Sequence, residues 1–491
     1  MSANWETVIG LEVHVQLKTR TKMFCRCEVA FGGEPNTRTC PVCLAHPGTL
    51  PVPNGTAIEW TTKLGLALGC EIAPRALFHR KHYVYPDLAK SYQISQYDEP
   101  LCVNGRFVVP YPSQDHAVGI VRAHLEEDAA KTIHVGGASG RIVGAAHSNV
   151  DFNRGGTPLV EIVTRPDLRS GDEAKSFLQL LRQTIVELDI SDAEMEKGTL
   201  RCDANVSVRP IGEDGLRTRW ELKNMNSFTF IGRGIDAAVR AQIALYEGGR
   251  EVVQETYDYD ADRDTLTPHR SKEEAEDYRY FPEPDLVPVE PPVELVERLR
   301  QEVPELPGAR IRRFEQQYGL PFYDAEVLNG SPALARLYEA VASDGVEPKA
   351  ASNVLMNDFA ATGVDPAVVN GRELGKLIAG RSRIPRSVFI EALAASGDRA
   401  FSADRYLVQA AISDTAALEP VLERVIEANG PQVEAYRGGK EGILGYLVGQ
   451  VMKETRGKAD ARVVNELLRE RLRDVAGSSP RSHPQPPPTR G

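Results

Sequence analysis

The chain has no run approaching about 18 consecutive apolar residues, so no transmembrane helix is expected. Its first ten residues, MSANWETVIG, put an acid where a secretory signal needs basic charge, and no long apolar core follows. A cytoplasmic location with reduced thiols is therefore expected. An excess of basic charge is also missing: 58 Lys+Arg against 69 Asp+Glu give a formal net charge of -11. That balance argues against a protein that coats nucleic acid through its whole surface, while leaving room for local basic clusters such as Arg75, His79, Arg80, Lys81 and His82. No GxxxxGK[ST] phosphate loop, GxGxxG fingerprint or GxSxG elbow occurs, which removes support for the commonest nucleotide-binding and hydrolase folds. No internal repeat is apparent. With 491 residues, the chain should hold roughly two to four domains, because single cores stop growing beyond about 250 to 300 residues.

Cysteine is sparse but concentrated, with four of the seven lying between Cys25 and Cys43. The spacing is C-x-C (Cys25, Cys27), then a Gly, Pro and Asn-containing loop, then C-x2-C (Cys40, Cys43). Two closely spaced pairs of this kind suit a zinc ribbon or knuckle, each pair binding one side of a tetrahedral ion. A disulfide framework is disfavoured in a reducing compartment. A redox reading of Cys40-Pro-Val-Cys43 leaves Cys25 and Cys27 unexplained, and free thiols remain the plain alternative. Four thiolates would close the coordination sphere, so such a zinc would brace the fold rather than catalyse. His46 is a spare candidate ligand, and Cys70, Cys102 and Cys202 read as small buried hydrophobes.

Hydrophobic periodicity divides the chain. Val8–Lys18 has period two, with Ile9, Leu11, Val13, Val15 and Leu17 on one face and Glu12, His14, Gln16 and Lys18 on the other. Arg201–Arg209 repeats that design, opposing Cys202, Ala204, Val206 and Val208 to Asp203, Asn205, Ser207 and Arg209. Strands with one apolar and one polar face are those of antiparallel sheets. Ser170-Gly-Asp-Glu173 reads as a capping box leading into a helix over AKSFLQLLRQTIVELDI, residues 174–190, and a second helix is expected over 231–249, stopped by Gly248-Gly249. After the proline-rich joint FPEPDLVPVEPPVE the pattern turns helical throughout. The expected architecture is α+β: a sheet-based domain over 1–290, a helical domain over 291–400, a helical tail over 401–474 and disorder over 475–491. Residues 431–475 carry nine Lys/Arg and seven Asp/Glu, a local net of +2 in an acidic chain.

Candidate chemistry lies on the polar strand faces. Glu12 and His14 share one face, and Arg122, His124 and Glu126 share one face if Gly119–Asp128 is extended, with Glu127 and Asp128 following. A histidine with several carboxylates suits a hard cation such as Mg2+ bridging phosphates, although solvated strand faces with incidental ion pairs give the same pattern. Lys81–Gln96 interleaves aromatics with bases and amides, and Asp277–Asp285 sets Arg279 among aromatics. Both suit RNA stacking and phosphate contact, or else the edge of a tyrosine-rich core.

Taken together, IGLEVHVQLKTRTKMFCRC, CPVCLAHPGTLPVPN, YPDLAKSYQISQYDEPL, HLEEDAAKT, VDFNRGGTPLVEIVTRPD, MEKGTLRCDANVSVRP, ELKNMNSF, DYRYFPEPDL and LVGQVMKETRGKA resemble the B-subunit family of the aspartyl/glutamyl-tRNA amidotransferases. The motifs run in family order over about residues 6–472. The resemblance implies a catalytic cradle domain followed by a helical domain and a YqeY-like tail. It also implies a carbon–nitrogen ligase activity: ATP-Mg phosphorylates the side-chain carboxylate of Glu-tRNA(Gln) or Asp-tRNA(Asn), and ammonia then displaces phosphate. By resemblance Glu12, His14, Glu126 and Glu127 form the Mg2+ site, with Glu12, His14 and Glu127 catalytic. Cys25, Cys27, Cys40 and Cys43 match a structural zinc site, and Arg456 and Lys458 lie where the family's tail meets tRNA. The implied partners are an amidase A subunit, which makes ammonia from glutamine, and a small C subunit. Departures from the family pattern fall at Tyr257, Tyr259, His269 and Val354. Two other functions compete: a noncatalytic zinc-braced tRNA scaffold, which would ignore ATP, and a stand-alone carboxylate ligase, which would need no tRNA.

Overall fold

Apolar and polar residues alternate along Trp5–Gln16, and this segment forms β1, the centre of a nine-stranded sheet. The computed structural model describes residues 5–136, 144–268, 278–408, 415–455 and 459–474. It falls into two compact units, Met1–Arg313 and Phe314–Gly491.

In the first unit the strands are β1, β2 (Glu71–Ile72), β3 (His79–His82), β4 (Tyr92–Ser95), β5 (Cys102–Val109), β6 (His116–Glu127) and β7 (Lys131–Val135). They continue as β8 (His147–Asp151), β9 (Pro158–Thr164), β10 (Leu200–Pro210), β11 (Trp220–Lys223), β12 (Glu255–Asp260), β13 (Thr265–Pro268) and β14 (Phe281–Pro282). The large sheet runs β13-β12-β11-β10-β1-β9-β6-β5-β2; β14-β3-β4 and β7-β8 form two small sheets. Pairing is antiparallel except between β11 and β12, which are joined by a helix, as a parallel crossover requires.

The α+β expectation holds, and its strand faces lie as the period of two requires. Ile9, Leu11, Val13, Val15, Cys202, Ala204, Val206 and Val208 are all buried. Each such aliphatic side chain contributes about 1.5–3 kcal/mol when fully buried. Helix α1 (Gly55–Ala67) packs against β5 and β6, and α3 (Phe228–Glu247) packs along β10 and against α2 (Gly171–Glu187). Ser170 caps α2 by accepting from the Glu173 amide at 3.1 Å, but the Glu173 carboxylate reaches back to the Arg169 amide rather than closing the box on Ser170. Gly171 and Gly232 permit the α2–α3 crossing, since a side chain on Gly171 would strike the Gly232 carbonyl. The first unit extends past residue 290, because α4 (Val293–Glu302) packs on α1.

The second unit is helical. Tyr338, Phe359, Leu377 and Phe389 are buried in its first part, where Val354 is fully buried at the head of a π-helical turn, Val354–Phe359. Its last part has a core of its own: Leu418, Leu422 and Val425 meet Leu447, Val451, Val464 and Leu468. The expected helical tail includes the helices Ile443–Glu454 and Ala461–Asp474. Arg456, Lys458, His269 and the segment 475–491 lie outside the described residues. Among the described residues, no helix is long and apolar enough to cross a membrane.

Candidate functional site

The strand register turns the polar face of the large sheet into a row of ionisable groups. His14 of β1 lies opposite Glu161 of β9 and Arg201 of β10, and His124 of β6 lies opposite Glu161 from the other side. His14 Nε2 is 3.7 Å from Glu126 Oε1 and 3.6 Å from Glu161 Oε2, and His124 Nε2 is 3.5 Å from Glu161 Oε2. One ligand atom from each of His14, Glu126 and Glu161 lies within 4.8 Å of the others. Ser95 of β4 donates to Glu126 at 3.2 Å, fixing that carboxylate from outside the large sheet.

The electrostatics are those of a site short of positive charge. Burial, followed by the charge of Glu161, pushes the Glu126 carboxyl above its ordinary pKa. Burial also works against the charge on His14, yet its hydrogen bond to Glu161 and the charges of Glu126 and Glu161 outweigh it and raise the imidazole. Partial burial raises Glu161 as well, but His14, His124 and Lys81 overcome that cost and hold it well below the usual carboxylate range. Burial lowers His124 to about 4, which keeps it neutral, and its Nδ1 is buried with no hydrogen-bond partner among the described residues. An imidazole and two carboxylates that cannot both shed their protons freely make a donor set fitted to a hard divalent cation.

The four expected residues are not all gathered there. Glu12 stands two residues from His14 on the same face, accepts from Asn205 Nδ2 at 2.9 Å, and has a pKa raised by burial and then by Glu161. Glu127 is set apart: its Oε1 is 2.5 Å from Lys90 Nζ and accepts from the Ile94 amide at 3.0 Å. Adjacent residues of a strand point to opposite faces, so Glu126 and Glu127 serve different surroundings. Glu161 replaces Glu127 in the cluster. Its sequence signal is faint: a single acid inside the apolar strand Pro158–Thr164. Asp128 is a bracing group, held by Gln16 at 2.5 Å and Arg201 at 3.0 Å.

A second cluster lies between β1 and α1. Cys25, Cys27, Cys40 and Cys43 are unbridged, and one sulfur from each falls within 4.8 Å of the others. Cys43 Sγ accepts from the Cys40 amide at 3.2 Å, a contact that favours the thiolate a metal needs. The hydrogen bond with Cys25, followed by backbone and Lys22 contributions that outweigh burial, draws Cys43 down to about 4. Burial, then the hydrogen bond with Cys40, pushes Cys27 up to about 11. The loop is anchored below by buried Met23 and Phe24 and by the Met23 amide donating to the Gly156 carbonyl at 2.7 Å. This four-cysteine cluster fits a structural zinc. His46 is not one of the four, but lines an adjoining cavity of about 250 Å³ together with Lys22, Cys43, Lys90 and Glu127.

The departures at 257 and 259 are absorbed by local packing. Tyr257 packs on Trp220 with ring centres 4.5 Å apart, and buried Tyr259 donates to Asp264 at 2.7 Å.

Comparison with known proteins matches residues 7–297 to the family model described as "GatB/GatE catalytic domain" and residues 383–472 to one described as "GatB domain". The chain is 49% identical to the B subunit of the aspartyl/glutamyl-tRNA(Asn/Gln) amidotransferase of Moorella thermoacetica, with 95% of this chain and 100% of that protein covered. It is 45% identical to the protein of the same name from Syntrophotalea carbinolica, covering 96% and 99%, and 46% identical to that from Geobacter sulfurreducens, covering 96% and 100%.

Proposed function

The chain belongs to the family of aspartyl/glutamyl-tRNA(Asn/Gln) amidotransferase B subunits, and on that premise we propose that it activates and then amidates the side-chain carboxylate of Glu-tRNA(Gln), Asp-tRNA(Asn) or both. The observation that carries the reading is the His14–Glu126–Glu161 cluster on the polar face of the sheet. A carboxylate resists attack by ammonia because it has no good leaving group; phosphorylation supplies one. In the first step the substrate carboxylate oxygen attacks the γ-phosphorus of ATP and ADP leaves. In the second, ammonia attacks the acyl carbon and phosphate departs.

His14, Glu126 and Glu161 would hold Mg2+, which when bound neutralises charge on the phosphate oxygens. Ser95 and His124 orient the carboxylates of that set, and Glu12 adds a further acid along the same face. The zinc-like thiol cluster serves to fasten the loop between β1 and α1. Zinc there is a brace, and catalysis is assigned to the sheet. The chain acts in the cytoplasm within a heterotrimer: an amidase A subunit delivers ammonia, a small C subunit completes the complex, and Arg456 and Lys458 of the tail contact the tRNA backbone.

The test is ATP-dependent amide formation on both misacylated tRNAs by the assembled complex, supplied with ammonium, beside a Glu12→Ala/His14→Ala control. Amide with the native chain and none with the control is expected. Absence of ADP and amide while tRNA still binds would replace this reading with the scaffold.

A further inference from the structure

Lys81 has no task in the reading above, yet it lies on β3, which pairs with β4, the strand whose Ser95 holds Glu126 of the carboxylate cluster. It lies on β3 opposite Gln93 of β4, and Gln93 donates to the carbonyl of Glu127 at 2.8 Å, which fixes the small sheet to the end of β6. The ammonium is 4.7 Å from the ring centre of Tyr278 and 5.9 Å from that of Tyr83, and these two rings meet edge to face. Among the described residues it makes no ion pair and no hydrogen bond through its side chain. Its basic neighbours are committed: Arg80 forks onto Glu283, Lys90 pairs with Glu127 and Arg201 with Asp128.

A carboxylate partner would neutralise Lys81; two aromatic faces hold it through their quadrupoles and leave its charge available. That charge is felt by Glu126, Glu161 and His124. Once a divalent cation satisfies the carboxylates, Lys81 remains as a positioned cation without an anion. An ammonium is a compact point charge suited to phosphate oxygens, and a half-buried one gains more from an anionic ligand than a solvated one.

We propose that Lys81 contacts the phosphoryl group transferred at the His14–Glu126–Glu161 centre, an inference that rests on the proposed use of a nucleoside triphosphate. The bond that forms joins the substrate carboxylate oxygen to the γ-phosphorus. The bond that breaks joins that phosphorus to the bridging oxygen, which leaves with the electron pair on the nucleoside diphosphate. Lys81 gives up no proton in this step; its charge rests against the phosphoryl oxygens. Tyr83 and Tyr278 are positioning residues for it.

The experiment compares the assembled complex carrying native chain, Lys81→Met, Lys81→Arg or Tyr278→Leu. It reads tRNA-dependent ADP release in a single turnover, affinity for a nonhydrolysable ATP analogue, Mn2+ binding by electron paramagnetic resonance, and melting temperature. Lys81→Met should slow ADP release by roughly a hundredfold and weaken the analogue, with Mn2+ binding and melting as in the native complex. Lys81→Arg should recover part of the rate, and Tyr278→Leu, which keeps the charge but opens the cage, should fall between. An active native complex with unchanged ADP release in Lys81→Met overturns the role of Lys81 alone, as does loss of Mn2+ binding in that variant. A native complex that releases no ADP overturns the nucleotide reading and this proposal with it.

Discussion

The four thiols between β1 and α1 face one another on a loop, whereas His14, Glu126 and Glu161 project from three strands into a face crowded with further charge. Both clusters have the donor atoms for a metal. The thiols number the four that a tetrahedral ion takes, and their loop is tied down by the Cys40 amide on Cys43 and by buried anchors, so a metal held by all four would have its sphere filled by protein. The three hard donors leave positions open, and they stand on rigid elements that fix where a reactant would meet them. On the proposed reading, number of donors and rigidity of support, more than residue type, separate the brace from the reaction centre.

The largest effect is expected at Glu161. Glu161→Gln keeps the shape but removes the charge shared by His14 and His124, and ATP-dependent amide formation should fall by roughly 100- to 1000-fold, read by product analysis on acylated tRNA. If activity survived, the two clusters would differ less than their settings suggest. Cys43→Ser should act in the opposite sense: loss of one zinc equivalent by elemental analysis and about 3 kcal/mol or more of unfolding free energy, with amide formation retained at temperatures below the new melting point.

Glu127→Gln sharpens the boundary. It breaks the pair that buried Glu127 makes with half-buried Lys90 and should cost about 3 kcal/mol in chemical denaturation, yet leave Mn2+ affinity at the native value, because Glu127 is outside the cluster. The smallest effect concerns Asp128. Burial raises its pKa, but Arg201, Arg154 and Gln16 outweigh that and hold it below the ordinary value. A depressed carboxyl adds stability that is present above its unfolded pKa, about 3.9, and is lost as pH falls through the folded value. Asp128→Asn should therefore be less stable than the native chain at neutral pH and show a flatter loss of stability on acidification, measured by denaturant midpoints across pH.

Much of this was legible in the sequence, for physical reasons that differ by element. β1 and β10 declare themselves because one face of each is buried and the period of two is strict. Helix α2 declares itself through Ser170 and its apolar stripe, and the thiol cluster through spacing that a metal requires. The centre on the sheet was only half legible. His14 and Glu126 were in view, but Glu161 comes from a strand whose other residues are mostly apolar, and only the β1–β9–β6 register brings it to them. Glu127 misleads for the converse reason: adjacency in sequence means opposite faces on a strand.

The most direct test of the account is a Mn2+ titration by electron paramagnetic resonance on the full chain and its His14→Ala, Glu126→Gln, Glu161→Gln and Glu127→Gln variants. The account predicts one bound ion in the native chain, its loss in the first three, and native affinity in Glu127→Gln. Native affinity in Glu161→Gln, or loss confined to Glu127→Gln, would contradict it.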